Sequence, residues 1–205
     1  MFSTSWIENK ASILEETHKY DKSIKLYTKD NFFSKSIAFI LWFISYVFTF
    51  GKRAFPKDAF LTQYATTIGP FHFYPKEWES YDVMNVLPHE AQHTKQARAL
   101  SLYIHPIIGI LPMSLMYLLP IPIGLALGRL WLEINADKAI WEYIVKTRAP
   151  QTANQKENLI LEIKMRSKSF VYCLSSEDYM WTVPKRLALW YTNKEVKKFL
   201  KKKGL

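Results

Sequence analysis

Pro88-His89-Glu90-Ala91-Gln92-His93 sets two histidines four residues apart, with a glutamate directly after the first. On an α-helix, residues i and i+4 share a face, so His89 and His93 can turn both imidazoles toward one metal ion. Glu90 stands about 100° further round the helix, within reach of a water held by that ion without being a ligand itself. The H-E-x-x-H spacing thus joins two neutral imidazole donors to a carboxylate able to take a proton from an attacking water, the pattern of a catalytic zinc site. Such a site takes three protein ligands, so the pattern demands one more donor elsewhere in the chain.

Composition limits what that donor can be. With 205 residues, 49% of them apolar and 16% aromatic, the chain can bury one substantial core, is short for two independent domains, and is not disordered over most of its length. Cys173 is the single cysteine, which excludes an internal disulfide and any multi-cysteine zinc site; the metal must be bound by nitrogen and oxygen. The formal charge of +10 favours anionic surroundings such as membrane headgroups or nucleic acid. Residues 1–20 lack a basic n-region followed by an apolar run, so no signal peptide is expected, and a membrane-associated or cytoplasmic location is.

The third donor is sought in RLWLEINADKAIWEYIVKTR, residues 129–148, which has amphipathic helical spacing. Glu133 and Asp137 stand at i and i+4 in an apolar neighbourhood of Leu130, Ile134, Ile140 and Ile144, and two acids placed there need partners. A metal accounts for Glu133 as the third ligand, and Asp137, one turn on, could accept the free N–H of a liganding imidazole. In the alternative, both acids face solvent beside Lys138.

His89-Glu90-x-x-His93 followed by Glu133-x-x-Ala136-Asp137 resembles the gluzincin zinc metallopeptidases. Its Glu-x-x-Ala-Asp form, preceded by hydrophobic segments, is most similar to the membrane-embedded HtpX and CAAX-prenyl-protease type. The resemblance covers residues 88–139. It implies that His89, His93 and Glu133 bind one zinc ion, that Glu90 is the general base, and that Asp137 is the supporting acid. Gluzincins often stabilise the tetrahedral oxyanion with a late histidine or tyrosine. No histidine follows His105 here, which leaves Tyr143, Tyr172 and Tyr179 as candidates.

Other stretches set the frame. Residues 1–31 form a polar lead-in, helical over 5–30, whose Trp6, Ile13, Leu14 and Ile24 give a weak apolar stripe for packing on the main body. Residues 32–150 are the expected zincin-like core. Within it, residues 32–50 are apolar apart from Lys35 and a few hydroxyls, and fit either membrane insertion or core burial. Thr66, Thr67 and Ile68, then Phe71 to Tyr74, are β-formers broken by Gly69-Pro70; they read as an edge strand or irregular hairpin, open to strand addition by an extended peptide, with His72 half-exposed. The metal helix is expected to begin near the N-cap Asp82, with Pro88 as a kink or as its true first turn.

Residues 104–128 are apolar and carry Pro106, Pro112, Pro120 and Pro122, so one straight helix is not expected. A single crossing there would set His93 and Glu133 on opposite sides of a ~30 Å layer. Ligands to one ion must converge, so the insert must return as a hairpin, the Pro120-Ile121-Pro122 bend serving as its corner. Residues 151–205 form a basic, aromatic-containing helical region, opening with a polar loop and ending in a lysine run read as a solvated tail.

The expected fold is α+β, mainly α: a zincin-like arrangement with the metal helix packed on a small sheet and a hydrophobic helical hairpin insert. The expected function is zinc-dependent hydrolysis of a peptide or protein substrate, with an anionic membrane surface as a further partner. The competing reading is a non-catalytic structural or membrane-associated assembly protein that keeps a zincin-like fold. Nucleic acid is disfavoured, since no recognised motif accompanies the basic and aromatic residues.

Overall fold

The computed structural model describes residues 5–48, 50, 56–118, 127–175 and 183–205. It is mainly helical, with one small three-stranded sheet, and divides into two compact units, Met1–Leu115 and Met116–Leu205.

The first unit is built on the sheet. Helix α1 (Lys10–His18) leads into strand β1 (Lys25–Thr28). Helices α2 (Phe32–Phe48) and α3 (Lys57–Thr62) follow, then strands β2 (Thr66–Ile68) and β3 (Phe71–Tyr74). The expected hairpin is present: β2 runs antiparallel to β3, and Gly69 makes the turn with φ +60°, a conformation glycine adopts without strain. A side chain at Gly69 would also meet Ile110 at 2.7 Å.

Two expectations change here. Strand β3 is not an edge, because β1 pairs with it in parallel, giving the order β1-β3-β2. Part of the helical lead-in is therefore strand. Its residues alternate, with Lys25 and Tyr27 outward and Leu26 buried, a period that suits a pleated ribbon. The packing role of the lead-in holds, since Trp6, Ile13, Ile24 and Leu26 join Tyr74, Val83 and Ala91 in one buried cluster. Burying each such large side chain contributes about 1.5–3 kcal/mol.

Helix α4 (Ser80–Leu100) carries the histidine motif. Its N-cap is Glu79, three residues before the expected Asp82, and Asp82 reaches back to accept the Glu79 backbone N–H at 3.0 Å. Pro88 lies inside the helix, buried, so it is not the first turn. The far end of α4 is fastened to the lead-in by Arg98, whose Nε and an Nη each donate to Asp21 at 2.9 Å. Beyond it, Gly109 lies so close to α4 that a Cβ would fall 1.7 Å from the Ala97 carbonyl oxygen.

Helix α5 (Ile110–Leu118) runs up to residues 119–126, which lie outside the described residues together with the Pro120-Ile121-Pro122 bend. Among the described residues no helix is long and apolar enough to cross a membrane.

The second unit holds helices α6 (Leu127–Arg148), α7 (Ala153–Leu174) and α8 (Lys185–Lys203). Ile140, Trp141 and Ile144 of α6 meet Leu159 and Ile163 of α7 and Val196, Phe199 and Leu200 of α8. The polar stretch after Pro150 is largely helix rather than loop, because Thr152 caps α7 by accepting the Gln155 N–H at 3.2 Å. The lysine run is likewise not a loose tail. Apolar residues at i, i+3 and i+4 bury one side of α8, while Lys138 and Lys198 flank Glu195, and Lys203 pairs with Glu142.

Candidate metal centre

Helix α4 presents His89 and His93 one turn apart. Their Nε2 atoms lie 3.1 Å from each other, with the rings edge to face at 81°. Two nitrogens each ~2.05 Å from one tetrahedral ion stand ~3.3 Å apart, so the pair already spans the width of a single zinc. One ligand atom each from His89, His93 and Glu133 lies within 4.8 Å of the others. The donor set is two imidazoles and one carboxylate, which suits zinc and needs no thiolate. Cys173 is exposed and outside the group.

The tautomer of His93 follows from its neighbour. Nδ1 lies 2.8 Å from the Gln96 amide oxygen, so Nδ1 carries the hydrogen and donates it, leaving the Nε2 lone pair for a metal. Gln96 and His93 are both buried, which makes this orientation hard to lose. At His93 the Nδ1–H is accepted by Gln96, three residues further along the same helix. Asp137 is buried in α6, where it accepts the Trp141 Nε1–H at 2.9 Å and lies 4.0 Å from the Arg166 guanidinium. Glu133 is buried as well, so neither acid is the solvent-facing residue of the alternative reading.

Glu90 is buried on α4 and is tied to the hairpin: the Thr67 hydroxyl donates to its Oε2 at 2.7 Å. Nearby, Lys29 is almost fully buried. Its ammonium donates to the Phe60 carbonyl at 2.7 Å and lies 3.8 Å above the Phe60 ring. Burial pushes the Lys29 pKa down to about 7, opposed by the negative charge of Glu90. The same carboxylate, after burial itself, pushes the Tyr74 hydroxyl well above its usual range.

His72 is fully buried rather than half-exposed, and it is not in the ligand group. Thr94 commits its hydroxyl hydrogen to the Gly69 carbonyl at 2.8 Å, so His72 Nε2 donates to the Thr94 oxygen at 2.8 Å. Burial holds this imidazole neutral, with its pKa lowered to about 3. His72 and Thr94 therefore bolt β3 to α4, and Thr67 bolts β2 to the same helix at Glu90.

Of the proposed oxyanion groups, Tyr143 is exposed on α6. Tyr172 is exposed on α7, with the Lys185 ammonium 3.8 Å above its ring. Tyr179 lies outside the described residues. Two side chains that touch the histidine motif were given no role from the sequence, Gln96 and Thr67. Gln96 carried a signal, its i+3 spacing from His93. Thr67 carried none, because its partner is fixed only when the hairpin folds onto α4. No protein-family model, curated protein or solved structure matches the chain.

Proposed function

We propose that the chain is a zinc-dependent metallopeptidase in which His89, His93 and Glu133 hold one ion and Glu90 is the general base. The observation that carries this reading is the convergence of those three ligand atoms to within 4.8 Å. When bound, the zinc supplies a Lewis acid that polarises the scissile carbonyl and acidifies water. Glu90 accepts the proton of the attacking water and passes it to the departing amine. Thr67 holds the carboxylate by Oε2, which fixes where that proton is received. Lys29 is buried close enough to Glu90 for the carboxylate's charge to oppose the fall of its pKa.

Strand β2 supports a peptide substrate, since among the described residues it ends the sheet on one side, the position for strand addition beside Thr67. The finer fold reading, a zincin-like core with a returning apolar insert, belongs to the same proposal. It draws on the hydrogen bonds that join α4 to the hairpin.

Glu90→Gln tests the assignment, because it keeps the shape of the side chain and removes the base. The expected result is a loss of peptide hydrolysis of roughly a hundredfold or more, with zinc content and helicity retained. A Glu90→Gln protein as active as the parent would reject the peptidase reading and favour the assembly protein.

A further inference from the structure

Helix α2 is built inside out for a helix in water. Its buried positions hold small residues, Ser34 at 2% and Ala38 at 1% exposure, while Phe32, Phe39, Phe43 and Val47 are 87%, 55%, 53% and 52% exposed. Phe39, Phe43 and Val47 recur at i, i+4 and i+8 and make one apolar stripe, with Phe32 two turns before it. Water is a costly neighbour for such a face, and a stripe of this kind marks a docking surface.

Charge identifies the occupant. Lys35 is exposed on α2, and the Lys57 ammonium of α3 sits 4.4 Å above the Trp42 ring, on the aromatic ladder Phe39–Trp42–Tyr46. No acid occurs in α2. A second copy of the chain would bring the lysines of both copies around one apolar seam, like charge against like. An anionic bilayer gives the same lysines opposite charges and gives the stripe an apolar phase. Among the described residues α2 covers 17 residues, ~26 Å as a helix, and no helix there is long and apolar enough to cross a membrane, which favours a helix lying in the surface.

We propose that the outward face of α2 docks on an anionic lipid bilayer, with Phe39 and Phe43 entering one leaflet and Lys35 and Lys57 meeting its headgroups. This docking is independent of the metal centre. The experiment is co-sedimentation of the full chain with phosphatidylcholine vesicles, either pure or containing roughly a third phosphatidylserine. The parent binds the anionic vesicles, and Phe39→Ser/Phe43→Ser weakens binding roughly thirtyfold while zinc content and circular dichroism stay unchanged. Lys35→Glu, which leaves every buried side chain in place, weakens it roughly tenfold.

Vesicle binding untouched by either variant overturns the proposal. So does equal binding to both vesicle types. A concentration-dependent dimer that Phe39→Ser/Phe43→Ser dissociates, without vesicle binding, also overturns it and makes the face an interface between copies.

Discussion

Asp21→Asn removes the charge that anchors the far end of the metal helix, and its cost can be worked from the structure. The Asp21 carboxylate accepts two hydrogen bonds from Arg98 at 2.9 Å and the Ser23 backbone N–H at 2.9 Å. These bonds outweigh desolvation and hold its pKa near 2, below the usual 3.8. A shift of that size corresponds to about 2 kcal/mol at neutral pH. Arg98 is 29% exposed, and solvent screening there reduces the expected loss to about 1–2 kcal/mol.

The sign follows from linkage. A depressed carboxylate pKa stabilises the fold above about pH 4, and the benefit fades as pH falls through 2. The difference between parent and variant is therefore constant from pH 7 to pH 5 and falls to about half by pH 3. Urea unfolding followed by circular dichroism at pH 7, 5 and 3 reads it directly. A loss below about 0.3 kcal/mol at pH 7, or one as large at pH 3 as at pH 7, would refute the claim that Asp21 clamps α4 as a charged partner of Arg98.

Two further outcomes bear on the site itself. Thr67→Val, which keeps the shape and removes the hydroxyl bound to Glu90, should lower kcat roughly tenfold or more with little change in KM, and Thr67→Ser should restore it; a change in KM alone would place Thr67 in substrate binding instead. Gln96→Ala removes the acceptor of the His93 Nδ1–H and should weaken zinc binding about 10–100-fold by competition with a chelating dye, whereas unchanged affinity would deny Gln96 that role.

Local patterns were legible in the sequence and long-range pairings were not. His89, His93 and the helix beneath them follow from i, i+4 spacing, and Glu133 from an acid set among apolar residues that must be buried. The hairpin followed from β-formers broken at Gly69-Pro70. What failed depended on distant partners. The four residues of β1 form a strand because β3 supplies their hydrogen bonds, and an alternation over only Lys25–Thr28 is too short to announce that. The half-exposed His72 of the sequence reading becomes a fully buried bolt only because α4 covers β3 and offers Thr94. In α8 the density of lysines hid the apolar positions Val196, Phe199 and Leu200, whose burial requires α6 and α7.

The proposed zinc site needs His89, His93 and Glu133 together. Elemental analysis of the full chain, purified without chelator beside His89→Ala/His93→Ala, tests it most directly. One zinc ion per chain in the parent, lost in the variant, is the expected result. Less than about a tenth of a zinc per parent chain, or zinc that persists without both histidines, would contradict it.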